Sequence, residues 1–182
     1  MINMIDQKEY VKSFTEKALQ NGFSTDYINK CLSYANPLLA NNLPVIYSIY
    51  HFSGLVGYNT SYLKRAIKFQ KYFYREFEID KRNGKKRKLF EPLPSLKEIQ
   101  LWILNEILYK CKVSRYAKAY VPKRSIKEHA IYHTNESFVL TLDIKDFFKR
   151  IKFELVQTLF QNMGYSQIMA NLFTKLCFLE DE

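Results

Sequence analysis

Residues 139–148, VLTLDIKDFF, place one carboxylate at the end of an apolar run and a second carboxylate three residues later. Because the run is rich in apolar and β-branched residues, it predicts a strand from Phe138 to Ile144. Side chains alternate between the two faces of a strand, so we expect Asp143 on the more polar face, at the end of that strand. From there its carboxylate could project into a cleft and serve catalysis.

Two structural roles compete with catalysis for these acids. Asp146 could cap a following helical turn, and Asp143 could pair with one of the many basic side chains. The spacing of the two acids leaves these alternatives open, so the surrounding elements have to decide between them.

The composition indicates what kind of protein carries the motif. The chain has 182 residues, 47% hydrophobic and 25% charged, which is enough for a globular core. Its formal net charge of +10 predicts a polyanionic partner, with an inert basic surface as the alternative. The sequence shows no long apolar run and no signal-peptide pattern, and its three cysteines show no zinc-ligand spacing. We therefore expect a cytoplasmic protein without a membrane segment.

Helical spacing dominates the first seventy residues. Apolar residues recur at intervals of three and four between residues 10 and 19 and between residues 45 and 52. Pro44 suits a first helical turn, and we expect breaks at residues 36–37 and 41–42. Gly57 then separates two helical patterns, which fit either a helix-turn-helix or, as we favour, two core-packing helices.

Basic residues concentrate between Tyr62 and Phe90, where eleven Lys or Arg residues oppose three acids for a net charge of +8. We expect the face that binds a polyanion to lie in this segment. Within it, YREFEID and KKRKLFEPL predict two strands joined by a turn at residues 81–84, because Asn-Gly between such runs is typical of a hairpin. Interleaved aromatic residues could stack on bases, and a solvated charged hairpin is the alternative.

Three further elements are predicted after the hairpin. An apolar stripe indicates a helix over residues 95–111, with Trp102 beside it in the core. A basic loop should precede a short helix that starts at Ser125. Residues 153–163 predict a helix that ends at Gly164. The stripe consists of Leu96, Ile99, Ile103 and Ile107.

Four motifs, taken in chain order, resemble those of bacterial retron-type reverse transcriptases, close relatives of group II intron enzymes. They are FEIDKRNGKKRKL, LPSLKEIQLWILNEIL, AYVPKRSIKEHAIYH and LTLDIKDFF. The resemblance runs from about Leu43 to the last residue and includes the helical segment NLPVIYSIYHFSGLVG. It is specific because the motifs occur in the right order and at the right intervals.

The resemblance implies an α+β fold that is part of a right-hand polymerase. Its pieces would be a helical N-terminal region over residues 1–70, fingers with the β-hairpin over 71–135, and the first part of the palm over 136–182. The sequence ends at LCFLEDE, before the Leu-Pro-Gln-Gly segment and the YxDD motif that the family implies. We therefore expect an N-terminal portion of a longer enzyme.

The resemblance also implies roles for individual residues. Asp143 would be the first catalytic aspartate, binding two Mg²⁺ ions with help from the backbone carbonyl of Ile144. Phe148 would be the steric gate beneath the sugar, which selects deoxynucleotides. Lys81 and Arg87, on the two sides of the hairpin turn, would clamp the incoming triphosphate.

Template contacts are expected from two loops. Arg124 and Ser125 match the loop that lies along the template strand in the family. Lys85 and Lys86 belong to the basic hairpin, and we expect them to bind the template as well. Lys123 stands where relatives commonly have glycine, which is a change of loop geometry.

The family implies an RNA-directed DNA polymerase that copies a structured noncoding RNA, using it as template and primer, into an RNA–DNA product. Deoxynucleoside triphosphates would be its substrates, and an effector protein would join it in anti-phage defence. Since the family site pools carboxylates from separate strands, we expect this chain alone to be inactive, and Asp146 to be structural. The alternative is a nucleic-acid-binding module without catalysis, either a degenerate relative or a helix-turn-helix regulator.

Overall fold

The computed structural model describes residues 7–80 and 84–179, which form eight α-helices and one two-stranded antiparallel sheet. The elements are α1 (Gln7–Gln20), α2 (Thr25–Ala40), α3 (Ile49–Val56), α4 (Thr60–Lys68), β1 (Tyr74–Asp80), β2 (Lys86–Pro92), α5 (Pro94–Glu106), α6 (Ile126–Ile131), α7 (Phe153–Asn162) and α8 (Gln167–Cys177). This confirms the α+β class, while the details of a polymerase fold stay a prediction. None of the described helices is both long and apolar enough to cross a membrane.

Two expected boundaries near the N-terminus are wrong. Pro37 lies inside α2, which continues to Ala40. Pro37 removes one backbone hydrogen bond and destabilises the helix locally, but the neighbouring Leu38 is completely buried, so packing outweighs the lost hydrogen bond. The third helix begins at Ile49, and Pro44 is not in its first turn as expected. The helix starts there because the hydroxyl of Ser48 accepts a hydrogen bond from the backbone N–H of His51.

The helices on either side of Gly57 are core helices, as favoured from the sequence. Gly57 ends α3 with a left-handed φ of 74°. Phe52 of α3 and Leu63 of α4 are both fully buried in one hydrophobic core. The pair therefore has a packing role in this fold.

Phe173 of α8 lies at the centre of that core. Its ring centroid lies 5.2 Å from that of Phe52 in α3, 5.4 Å from that of Phe160 in α7 and 5.0 Å from that of Tyr165. The apolar stripe predicted on α5 is buried, and Trp102 is half-buried, with its ring at 73° to that of Phe52. One core thus draws on all three predicted regions of the chain, whose boundaries stay predictions.

Two glutamine side chains hold the C-terminal end of α8 against the base of the hairpin. Gln100 donates from Nε2 to the carbonyl of Leu176 and to the hydroxyl of Tyr74, both at 2.8 Å. Gln70 donates to the carbonyls of Lys175 and, at 3.0 Å, Phe178. These bonds satisfy carbonyls that a helix end leaves without partners.

The predicted hairpin is confirmed. Strands β1 and β2 pair from Tyr74 opposite Pro92 to Asp80 opposite Lys86. Gly84 has a φ of 74°, the left-handed conformation that glycine favours in turns. The rest of the predicted turn, residues 81–83, lies outside the described residues.

The strand predicted from Phe138 to Ile144 is wrong. This segment has no regular secondary structure, and every residue from 131 to 150 is exposed. A strand needs a neighbouring strand to pair its backbone groups, and β1 and β2 pair only with each other in the described part of the chain. The apolar pattern therefore has no sheet here on which to form a strand.

Candidate functional site

Asp143 is exposed and unpaired. Its carboxylate forms no hydrogen bond or ion pair with any residue that the structure describes, and the carbonyl of Ile144 accepts no hydrogen bond within the same residues. The ion-pair alternative for Asp143 therefore finds no support in this structure. Both oxygen donors that the sequence singled out are open to an incoming ligand.

The turn after Asp143 is closed by Arg150. Its Nε donates to the carbonyl of Lys145 at 3.0 Å, and its backbone N–H donates to the carbonyl of Asp146 at 3.2 Å. Asp146 has a left-handed φ of 55°, and the short 3-10 turn over Phe148–Arg150 receives no side-chain cap. Asp146 is therefore a turn residue, and its proposed capping role is not observed. Sequence reasoning missed Arg150, and no spacing pattern points to it.

Phe148 lies outside the core. Its side chain is 69% exposed, and its ring meets that of Phe147 nearly edge-on, at a centroid distance of 5.4 Å and an angle of 75°. An exposed aromatic ring five residues from Asp143 suits contact with a ligand better than core packing. The role of steric gate stays a prediction.

The two faces of the hairpin differ in chemistry. On one face, Lys86 pairs with Glu78 at 3.1 Å and Lys88 pairs with Glu76 at 2.6 Å. These are diagonal cross-strand pairs, in which the acids compensate the charge of the lysines. Lys85, just before β2, is exposed.

The other face of the hairpin carries Arg87 beside three apolar side chains. There Arg87 lies opposite Ile79, next to the pair of Phe77 and Leu89. Because residues alternate across a strand, Arg87 points away from the paired lysines. Lys81, its expected partner in clamping a triphosphate, lies outside the described residues.

The loop before α6 is held by a shared carboxylate. Arg124 and Lys118 each reach the same oxygen of Glu128 at 3.3 Å, and the hydroxyl of Ser125 accepts the backbone N–H of Glu128 at 3.2 Å. First the Arg124 guanidinium and then the Lys118 ammonium hold the pKa of the Glu128 carboxyl below its usual value. Ser-x-x-Glu is a capping-box spacing, and this signal could have found Glu128 from the sequence.

Arg124 and Ser125 therefore have structural roles at the start of α6, and contact with a template stays a prediction for both. Lys123 has a left-handed φ of 62°, a conformation that glycine adopts more readily than lysine. No hydrogen bond or ion pair among the described residues joins this loop or Arg87 to Asp143 or Phe148. The structure thus presents the expected site residues on separate exposed segments.

The described residues do not fit a complete site for two Mg²⁺ ions. Among residues 7–80 and 84–179, no group of three or more His, Cys, Asp or Glu side chains could hold a metal ion. Two ions need several oxygen ligands each, and this part of the chain offers one carboxylate and one carbonyl at the expected position. That Asp143 binds metal together with further carboxylates stays a prediction.

Comparison with known proteins identifies relatives of one kind, although no protein-family model matches the chain. The retron Ec86 reverse transcriptase of Escherichia coli is 28% identical over 152 residues, which cover 81% of this chain and 48% of the relative. The retron Se72 reverse transcriptase of Salmonella heidelberg is 31% identical over 144 residues, covering 78% of this chain and 38% of the relative.

A third relative is more similar to this chain than these two, but over a shorter stretch. The retron Mx65 reverse transcriptase of Myxococcus xanthus is 39% identical over 97 residues, covering 53% of this chain and 23% of the relative. The chain thus spans less than half the length of each of these three curated relatives. The matches confirm the resemblance inferred from the motifs: over most of its length, this chain is similar to an N-terminal portion of the retron reverse transcriptases.

Proposed function

We propose that this chain is part of an RNA-directed DNA polymerase that copies a structured noncoding RNA into DNA. The observation that carries the proposal is Asp143, which lies exposed and unpaired within the motif that resembles the family's first catalytic aspartate. The similarity to retron reverse transcriptases over as much as 81% of the chain supports it. An acid that only stabilised the fold would be expected to have a partner.

In the longer protein, Asp143 and the carbonyl of Ile144 would supply part of a Mg²⁺ site that other carboxylates complete. The described residues do not fit that site alone, so the chemical step belongs to the complete protein. Phe148 would lie beneath the sugar of a deoxynucleoside triphosphate, where its ring leaves no space for a 2′-hydroxyl. Arg87, together with Lys81, would bind the triphosphate through charge-assisted hydrogen bonds.

Template binding would use the basic loops. Arg124 and Ser125 would contact the RNA backbone from the start of α6, and Lys85 and Lys86 from the hairpin. The noncoding RNA would serve as both template and primer. A role in anti-phage defence, with an effector protein as partner, rests on the family resemblance.

An extension assay tests the proposal. The full-length gene product, incubated with primed RNA, Mg²⁺ and deoxynucleotides, should extend the primer in a template-dependent way, whereas the 182-residue chain should not. If the full-length protein binds RNA but never extends a primer, the chain belongs to a binding module without catalysis. Extension by the 182-residue chain would contradict the incompleteness of its metal site.

A further inference from the structure

A second basic surface lies on α4, in the segment before the hairpin. Between Asp26 and Glu76 the sequence contains no acidic residue. Within that stretch, α4 exposes Lys64, Arg65 and Lys68, and none of the three pairs with an acidic group in the part of the chain that the structure describes. Their charge is therefore uncompensated by neighbouring side chains.

The three cations share one side of α4. With 3.6 residues per turn, residues 61, 64, 65 and 68 fall within about 100° of the helix circumference. The opposite side carries Leu63 and Ala66, which are 0% and 2% exposed. Because the buried side fixes the rotation of the helix, the basic side must face solvent.

Exposed aromatic rings flank these cations. Tyr50 is 68% exposed, and the Nζ of Lys64 lies 5.4 Å from its ring centroid. At the other end, the Nζ of Lys68 lies 5.2 Å from the ring centroid of Phe69, and the adjacent Tyr72 is 81% exposed. Cations beside exposed rings are the combination with which proteins bind single-stranded nucleic acid, through phosphates and stacked bases.

The hairpin lysines offer a contrast. Lys86 and Lys88 already pair with acids of β1, so a phosphate would have to compete with Glu78 and Glu76. Affinity for nucleic acid comes largely from counterions released by phosphate contacts, and a cation that keeps its own acid contributes less. Per cation, α4 should therefore contribute more to binding than the hairpin.

We propose that Lys64, Arg65 and Lys68, with Tyr50, Phe69 and Tyr72, form a binding surface for single-stranded RNA. These residues differ from the template-contacting set Arg124, Ser125, Lys85 and Lys86. The inference rests on the proposed function in taking RNA as the polymer that is bound. Binding itself can be measured on the 182-residue chain without any catalysis.

Fluorescence anisotropy with a labelled, unstructured 20-nucleotide RNA tests the surface across a series of salt concentrations. The combined variant Lys64→Ala, Arg65→Ala and Lys68→Ala should reduce the slope of log affinity against log salt by about 2, at about 0.7 per lost contact. Lys12→Ala, Lys17→Ala and Lys30→Ala form the matched control, because they remove the same charge from exposed positions of α1 and α2. The control should keep the slope of the unmodified chain.

The aromatic part of the surface has a separate readout. Tyr50→Leu and Tyr72→Leu should each weaken binding at least about fivefold while leaving the salt slope unchanged, because stacking on a base releases no counterions. Circular dichroism should show unchanged helix content in all variants, since every altered side chain is exposed.

Three outcomes would contradict the proposal that α4 forms an RNA-binding surface. The first is an unchanged salt slope in the α4 variant, and the second is an equal loss of slope in the control. The third is displacement of the RNA by polyglutamate of equal total charge, which would indicate that α4 binds an acidic protein. None of them bears on primer extension. Conversely, a full-length protein that binds RNA through α4 yet fails to extend a primer would refute the proposed function alone.

Discussion

The Nε of Arg150 lies 3.0 Å from the carbonyl oxygen of Lys145 and donates a hydrogen bond to it. This contact spans the turn that separates Asp143 from α7, within a stretch where every residue from 131 to 150 is exposed. A side chain thus orders a segment that lacks packing of its own. Asp143 lies directly before this turn and Phe148 lies within it.

Arg150→Ala should loosen this turn without unfolding the protein. The variant loses the bond to the Lys145 carbonyl, so amide hydrogen exchange should accelerate across residues 145–151, while stability changes by no more than about 0.5 kcal/mol. Exchange measured by mass spectrometry and a thermal melt check both parts. Lys145→Ala is the control, since it removes a cation but keeps the carbonyl. Equal exchange in the Arg150 variant and the unmodified chain would show that the Arg150 side chain does not stabilise this turn.

Acidification should weaken the start of α6. The pKa of Glu128 is lowered in the folded chain, first by Arg124 and then by Lys118. The folded state therefore binds fewer protons, and the carboxylate stabilises it above the unfolded pKa of about 4.3; this contribution is lost as pH falls through the lower folded pKa.

A carboxyl titration followed by NMR checks this assignment. Arg124→Gln should move the midpoint of Glu128 upward, because the largest cause of the lowered pKa is removed. Arg115→Gln removes the same charge from a nearby exposed position and should leave the midpoint where it was. An identical midpoint in the Arg124 variant and the unmodified chain would show that the salt bridge does not form in solution.

Phe148→Ala should relax the choice of sugar in the full-length protein. If the ring blocks a 2′-hydroxyl, its removal should raise the incorporation of ribonucleotides relative to deoxynucleotides, with a factor of ten for each 1.4 kcal/mol of lost discrimination. Competition between the two nucleotide types in a primer extension assay measures the ratio. Phe147→Ala is the matched control from the neighbouring ring. Unchanged selectivity in the Phe148 variant would show that Phe148 is not the steric gate.

Local patterns predicted the elements whose signal lies within one short segment of the sequence. The α5 stripe is buried because its period matches the helix, and the two strands of the hairpin pair across a short turn. Ser125 caps α6 as its side-chain chemistry suggests. Each of these elements could therefore be predicted from its own segment of the sequence.

Long-range packing decided the elements that were mistaken or missed. Pro37 stays within α2 because Leu38 is buried in the core. No helix was predicted for α8, whose Phe173 contacts three rings, among them the sequence-distant ring of Phe52. The segment 138–144 has a strand pattern but no partner strand among the described residues. The pattern within one segment does not show whether another segment is present to pack or pair with it.

Some residues of the candidate site were found from the sequence, and others were not. Asp143 and Phe148 were found because a motif resembles that of a known family. The contacts of Arg150 with the Lys145 carbonyl and of Lys118 with Glu128 follow no spacing pattern that could have indicated them. The Ser-x-x-Glu spacing would have indicated Glu128, since a capping box is local.

Asp143→Asn tests most directly whether this acid is catalytic. Primer extension should be measured in the full-length protein, and thermal melts without metal in both the full-length protein and the 182-residue chain. A neutral amide lacks the charge that Mg²⁺ requires, so extension should be abolished. Because the carboxylate is exposed and unpaired, stability should change by no more than about 0.5 kcal/mol.

Asp146→Asn provides the control in the same experiment, because asparagine tolerates the left-handed backbone that Asp146 adopts. It should retain most of the extension activity and the full melting temperature. For Asp143→Asn, an inactive protein with an unchanged melting temperature is the predicted result. Retained extension, or a loss of stability of about 3 to 5 kcal/mol such as a stranded buried cation would cause, would contradict the catalytic assignment of Asp143.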